Sequence, residues 1–254
     1  MDWVILNLAV FGAAAVQAAT GIGFGALAGP ILLLTLGSAA AVQITIVLSL
    51  LIALVLAPSL RREADGLVLR HLLVGSVLGL PIGIVIYLNA DVALLELLAG
   101  VAVLGMAISV LAAGRPRADQ DPARGPSERP ARGGTLAVGV LSGLMSTSLA
   151  MPGPPVAAWM AGRNFSKTAI RSTVLTLFVP SYAAAAILQA CVATTTLETL
   201  SIMAKLTPAT LVGLLCGRAL TSRISDLAFR RIVLFLLWAT ALGLLISGAR
   251  RALG

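Results

Sequence analysis

The chain has 254 residues, of which 59% are hydrophobic and only 11% are charged, and its mean hydropathy is +1.02. Soluble domains carry about 25% charged residues, so this composition excludes an ordinary soluble protein and indicates an integral membrane protein. The net charge of +8 does not require nucleic acid as a partner, because the arginines lie between apolar segments, as the positive-inside rule of membrane proteins predicts. We expect neither a nucleic-acid partner nor a cofactor.

Eight hydrophobic blocks follow one another along the chain, and several reach the roughly 20 residues that a helix needs to cross hydrocarbon. Their approximate ranges are 3–36, 39–58, 67–88, 92–113, 134–162, 170–190, 206–222 and 229–249. Between the fourth and fifth blocks lies a segment rich in proline and charge, which is typical of a solvated linker. The chain is therefore predicted to consist of a first membrane repeat (1–113), a cytoplasmic linker (114–133) and a second membrane repeat (134–254).

Two of these blocks contain residues that disfavour a helix interior. Three glycines fall within residues 21–25 of the first block with a proline at position 30, and Pro-Gly-Pro-Pro occupies residues 152–155 of the fifth. Inside a bilayer, unwound backbone persists only where protein or a water-filled cavity satisfies its N–H and C=O groups. We therefore expect the two breaks to face each other and to form the substrate site of a small transporter.

A glycine motif indicates that the two halves are repeats. Gly79 and Gly83 in the third block correspond, at a constant offset, to Gly213 and Gly217 in the seventh. The GxxxG spacing places both glycines of a pair on one helix face, where a second backbone can approach closely.

The distribution of basic residues predicts how the halves are oriented. If each broken block is a re-entrant hairpin, all of the 18 basic residues except Lys205, Arg250 and Arg251 fall on the cytoplasmic side. If each broken block instead crosses fully, fewer basic residues lie inside. The first arrangement gives an all-α polytopic membrane protein of two inverted repeats, each a broken re-entrant hairpin plus three transmembrane helices. A hairpin of two full spans at each break, ten spans in all, remains an alternative.

The chemistry of the breaks favours an anion as substrate. A helix N-terminus offers free N–H groups and a partial positive charge, and a helix restarts after each break. No carboxylate falls near the middle of a block, where a proton relay or a cation site is usually marked by one. The candidate binding residues are Thr20, Gly21, Gly23, Phe24, Gly25, Gln43, Thr45 and Ser49 in the first half, and Ser146, Thr147, Ser148, Gly153, Pro154, Arg171, Ser172 and Thr173 in the second.

Each of these candidates also has a purely structural alternative. The glycines could serve only tight packing, the hydroxyls could bond only to backbone, and Arg171 could mark only the topology. Gln17 and Gln189 are weaker candidates than the residues of the breaks.

The chain resembles the sulfite exporter TauE/SafE family, also called the toluene sulfonate uptake permease family, over roughly residues 5–249. The resemblance rests on Gly21-x-Gly23-Phe24-Gly25-x-Leu27-x-x-Pro30, on Pro152-Gly153-Pro154-Pro155-Val156, on Lys167…Arg171-Ser172-Thr173, and on Pro208…Gly213…Gly217…Arg223-Ile224…Phe229-Arg230-Arg231. It implies a multi-pass permease of the bacterial inner membrane, not an enzyme, that moves small anions such as sulfite, sulfonates and sulfoacetate. The implied partners are such an anion and the lipid bilayer, and a homodimer is left open.

Two other functions compete with transport. One is an intramembrane enzyme in which Ser142 is the nucleophile and His71, the only histidine, is its partner. The other is a channel-like module that moves its solute without saturation.

Overall fold

The computed structural model describes residues 3–21, 23–60, 63–112, 131–163, 165–220 and 226–253. These residues form ten α-helices and no strand, which confirms the predicted all-α polytopic fold. Most of the predicted linker lies outside the described residues. The helices are α1 (Trp3–Thr20), α2 (Phe24–Leu36), α3 (Ala40–Leu60), α4 (Gly66–Asn89), α5 (Val92–Ala112), α6 (Arg132–Leu149), α7 (Gly153–Gly162), α8 (Lys167–Val192), α9 (Leu197–Leu220) and α10 (Asp226–Leu253).

Seven helices within the described residues are long and apolar enough to cross a bilayer, namely α1, α3, α4, α5, α8, α9 and α10. The helices that follow the two breaks are much shorter, with 13 residues in α2 and 10 in α7. At 1.5 Å per residue they extend about 20 and 15 Å, well short of the roughly 30 Å of hydrocarbon in a bilayer. Each broken block is therefore a long helix followed by a short one.

The seventh block begins earlier than the sequence predicts. We expected it to start near residue 206, but α9 begins at Leu197. Glu198 and Lys205 lower the hydropathy of its first turns without preventing helix formation. The hydroxyl of Thr196 accepts a hydrogen bond from the Thr199 amide (3.1 Å), which caps the helix start. The Lys205 ammonium lies 4.7 Å from the centre of the Trp3 ring on α1, a cation–π contact that accommodates the charge.

The first glycine motif lies where α4 packs against α6. A Cβ atom on Gly79 would overlap the carbonyl oxygen of Val140, and one on Gly83 would overlap that of Leu144. A step of four residues along α4 thus matches a step of four along α6, so the two helices run parallel. Such close backbone approach is available only to glycine.

The second glycine motif makes the corresponding contact between α9 and α1. A Cβ atom on Gly213 would overlap the carbonyl oxygen of Phe11, and one on Gly217 would overlap that of Ala15. These two helices also run parallel. In both cases, a glycine-bearing helix of one half packs against the helix that leads into the break of the other half.

The remaining helices of the two halves also pair with each other. α5 and α10 run antiparallel, since Gly100 packs against Leu245 while Gly248 packs against Leu97. α3 packs against α8, and 67% of its span is buried inside the protein, against at most 44% for the other candidate spans. The α3–α8 pair therefore lies at the centre of the bundle, beside both breaks.

Candidate functional site

The first break is a short left-handed excursion of the backbone between α1 and α2. Gly21 has φ +81° and Gly23 has φ +134°, values that residues with a Cβ rarely adopt. The Gly21 amide still closes the last turn of α1 by donating to the Gln17 carbonyl (2.7 Å), and the Gly23 carbonyl accepts the first bond of α2, from the Leu27 amide (2.9 Å). The glycines are therefore required by the backbone geometry of this break.

The second break makes a similar turn with an alanine. Ala150 follows α6 with φ +59°, and within the described residues it alone has a positive φ without being glycine. The left-handed conformation costs such a residue about 1–2 kcal/mol. The Met151 amide donates a hydrogen bond to the Met145 carbonyl (3.0 Å), and the Ser142 hydroxyl donates one to the Pro152 carbonyl (2.7 Å). Hydrogen bonds from α6 thus hold the strained segment.

The two breaks meet in the interior of the bundle. A Cβ atom on Gly25, in the first turn of α2, would overlap the Ala150 carbonyl oxygen. The Tyr182 hydroxyl of α8 donates to that same oxygen over 3.0 Å. The N-terminus of α2 therefore meets the turn that leads from α6 into α7, with α8 alongside.

A small cavity remains where the breaks meet. Its volume of about 10 Å³ is that of a single water molecule. In this conformation the cavity is too small for an oxyanion, and we describe the junction as closed in that sense. The residues that line it are Gln17, Gly23, Gly25, Ala26, Met151, Gly153, Pro154, Phe178 and Tyr182.

Four predicted binding residues line this cavity: Gly23, Gly25, Gly153 and Pro154. Phe24 is fully buried beside them, and its amide donates to the Gln17 side chain. Gly153 is also needed for packing, since a Cβ atom there would lie 2.8 Å from the Phe178 ring.

The hydroxyls of the second break have other partners. Ser146 donates to the Ser181 carbonyl (3.3 Å), Thr147 to that of Leu80 (3.0 Å), and Ser148 to that of Leu144 in its own helix (2.8 Å). None of the three lines the cavity. The hydrogen bonds of Ser146 and Thr147 join α6 to α8 and to α4, and that of Ser148 stays within α6. In this structure the three hydroxyls therefore bond to backbone, as the structural alternative supposes.

The other predicted polar residues lie around the breaks rather than in the cavity. Three hydroxyls bond to their own helices: Thr20 to Val16, Thr45 to Ala41 and Ser172 to Ala169. The remaining three side chains are buried in the central helices, Gln43 and Ser49 in α3 and Thr173 in α8.

Arg171 contacts the end of α1 from the start of α8. One of its terminal nitrogens donates to the Ala18 carbonyl (2.9 Å), and its side chain occupies the space that a Cβ on Gly21 would need. A cation at this position compensates the negative end of the α1 dipole. Arg171 thus connects the second half of the chain to the first break without lining the cavity.

The sequence reasoning missed several lining residues. Phe178 and Tyr182 follow Arg171 by seven and eleven positions, a spacing that places all three on one face of α8. The two rings pack with centroids 5.2 Å apart. That periodicity, together with the contact of Arg171 with the break, is the signal that could have identified them. Gln17, rated weaker than the break itself, lines the cavity.

These features define a polytopic α-helical membrane protein in which two broken helices meet inside the bundle, an arrangement found in secondary transporters. The family model described as sulfite exporter TauE/SafE matches residues 6–244. The chain therefore belongs to the sulfite exporter TauE/SafE family of membrane transporters, whose substrates are sulfite and related sulfur anions. No curated protein and no solved structure matches it significantly.

Proposed function

We propose that the protein moves a small sulfur-containing anion, such as sulfite, a sulfonate or sulfoacetate, across the bacterial inner membrane. The observation that carries the proposal is the contact of Gly25 with Ala150, beside a cavity that the first residues of α2 and of α7 both line. The partial positive charge of two helix ends, together with the amides in the first turn of α2, attracts an anion in a medium of low dielectric. Glycine at the contact lets an oxyanion come within hydrogen-bonding distance of the backbone.

We further propose that the halves are inverted repeats and that each break is a re-entrant hairpin. The helix directions support this orientation. Arg70 and Arg132 lie near the starts of the parallel helices α4 and α6, whereas Arg251 pairs with Glu96 near the start of α5, beyond the far end of α4. The positive-inside rule assigns the end of the bundle that contains Arg70 to the cytoplasm, because most of the basic residues are expected at that end.

Transport then requires the breaks to separate. The closed cavity holds about one water, so an anion enters only after the contact between Gly25 and Ala150 opens. Opening toward one side of the membrane at a time gives alternating access around a fixed site. A junction that closes this tightly favours a saturable carrier over an open channel.

The structure offers little support for the enzyme alternative. The Ser142 hydroxyl donates to the Pro152 carbonyl, and a ring nitrogen of His71 lies 2.8 Å from the Leu67 carbonyl in its own helix. Both groups thus bond to backbone rather than to each other.

Uptake of radiolabelled sulfite into proteoliposomes tests the proposal. We expect uptake to saturate as the sulfite concentration rises. Unlabelled sulfoacetate should compete and slow the uptake of labelled sulfite. Liposomes without protein give the background. Uptake equal to that background, or uptake that rises linearly without saturation, would refute carrier function.

A further inference from the structure

One buried carboxamide at the junction is only half engaged. Gln17 lies in the last turn of α1, is fully buried, and lines the cavity between the breaks. Its Oε1 accepts a hydrogen bond from the Phe24 amide (2.9 Å), the first amide of α2. Its Nε2 is buried and has no hydrogen-bond partner among the described residues. A buried donor left in this state costs about 1–3 kcal/mol, so it calls for a function.

The orientation of this carboxamide is determined by its partner. A backbone N–H can only donate, so the oxygen of Gln17 must face Phe24, and the NH₂ group must point the other way. The hydrogen bond also spans the break, because it joins the end of α1 to the start of α2. The donor is therefore held in place before any ligand arrives, and little side-chain freedom is lost on binding.

The rest of the cavity makes this donor more important. In the first turn of α7, positions 154 and 155 are prolines, which have no N–H to offer. Met151 and Phe178 contribute apolar surface, and the Tyr182 hydroxyl already donates to Ala150. Apart from the Gly153 amide, the second half therefore offers few donors, and we expect those for an anion to come mainly from the opening amides of α2 and from Gln17.

We propose that Gln17 binds the transported anion directly, a role that rests on the proposed function. Its Oε1 stays on the Phe24 amide while its Nε2 donates to an oxygen of the anion seated at the N-terminus of α2. The two halves of the junction then differ in role. The first supplies the hydrogen bonds, and the second supplies a largely apolar wall.

Two substitutions separate this role from a purely structural one. Q17M removes both hydrogen-bonding atoms, whereas Q17E keeps an oxygen for the Phe24 amide and replaces the donor with a negative oxygen. Isothermal titration of purified protein with sulfite at pH 8 gives the Kd, and thermal unfolding without sulfite reports the fold. We expect both variants to bind sulfite about 10- to 100-fold more weakly, the effect of losing a hydrogen bond to a charged group. Q17E should unfold at a lower temperature than the wild type, because it buries a carboxyl group without a cationic partner, but it should be folded at the temperature of the titration.

The control is N7L, which removes another amide from α1. Asn7 donates only within its own helix, to the Trp3 carbonyl (2.8 Å), so N7L should bind sulfite like the wild type. Wild-type affinity in Q17M or in Q17E would overturn the role of Gln17 and leave the proposed function standing. Failure of the wild-type protein itself to bind sulfite would refute the proposed function and the role of Gln17 together.

Discussion

Replacing Gly25 with alanine tests whether the meeting of the two breaks is needed for transport. The added Cβ would overlap the Ala150 carbonyl oxygen, a backbone atom that cannot rotate away as a side chain could. Overpacking of this kind costs about 1–3 kcal/mol. If the breaks separate to relieve it, the hydrogen bond from Tyr182 to Ala150 is also weakened, at about 1 kcal/mol. The better helix propensity of alanine returns at most about 1 kcal/mol.

The net destabilisation of the closed junction is therefore about 2 kcal/mol, which lowers the ratio of closed to open junctions roughly thirty-fold. Because a carrier with alternating access must close around its substrate in every cycle, we expect G25A to take up sulfite at least tenfold more slowly. We also expect it to be inserted and folded, and to unfold about 4–8 °C below the wild type in detergent. Thermal unfolding and proteoliposome uptake on the same preparation measure both effects.

Gly12 provides the matched control on α1. A Cβ atom there would meet nothing within 4 Å, so G12A should keep both the unfolding temperature and the uptake rate of the wild type. If G25A behaves like G12A in both assays, the contact between the breaks is unimportant and the reasoning from it is wrong.

Three further predictions concern the surrounding structure and are tested by thermal unfolding. A150G should raise the unfolding temperature by the equivalent of about 0.5–1 kcal/mol, because glycine avoids the left-handed penalty but loses more chain entropy; a lower temperature would contradict the strain. R251M should destabilise the protein more than E96Q. R251M leaves the fully buried Glu96 carboxylate without its cation, whereas E96Q leaves unpaired an arginine whose side chain is 44% exposed. A larger loss of stability in E96Q would refute the pairing. G213A should cost about 1–3 kcal/mol through overlap with α1, while G105A, with open space around it, should not; equal effects would remove the close contact.

Much of the fold could be predicted from the sequence because hydropathy and helix breakers are local signals. The eight blocks, and the splitting of two of them, follow from apolar runs interrupted by glycine and proline. The predicted start of α9 was wrong because a hydropathy scale counts every charged residue against a membrane helix. Lys205 has a partner in the folded chain that such a scale does not consider. The recurrence of GxxxG predicted close contacts, but the partner helices could not be read from it.

The candidate site was only partly predictable. The glycines and prolines of the breaks line the cavity because they create the breaks themselves. Hydroxyls such as Thr147 gave the same sequence signal as a binding residue would, although their partners are carbonyls on neighbouring helices. Tyr182 lies 32 positions from the carbonyl that it contacts, and no local pattern encodes a contact at that distance along the chain.

The exchange of glycine contacts between the halves has a consequence for how the protein is made. The glycine face of α4 has its partner in α6, which is synthesised only after the central segment of the chain. When the first five helices have been inserted, the glycine face of α4 therefore still lacks the helix against which it packs. In the same way, α1 lacks its packing partner until α9 has been synthesised. Neither half is a finished folding unit by itself, so a chain cut within residues 113–130 should yield stable protein only when both fragments are produced in the same cell.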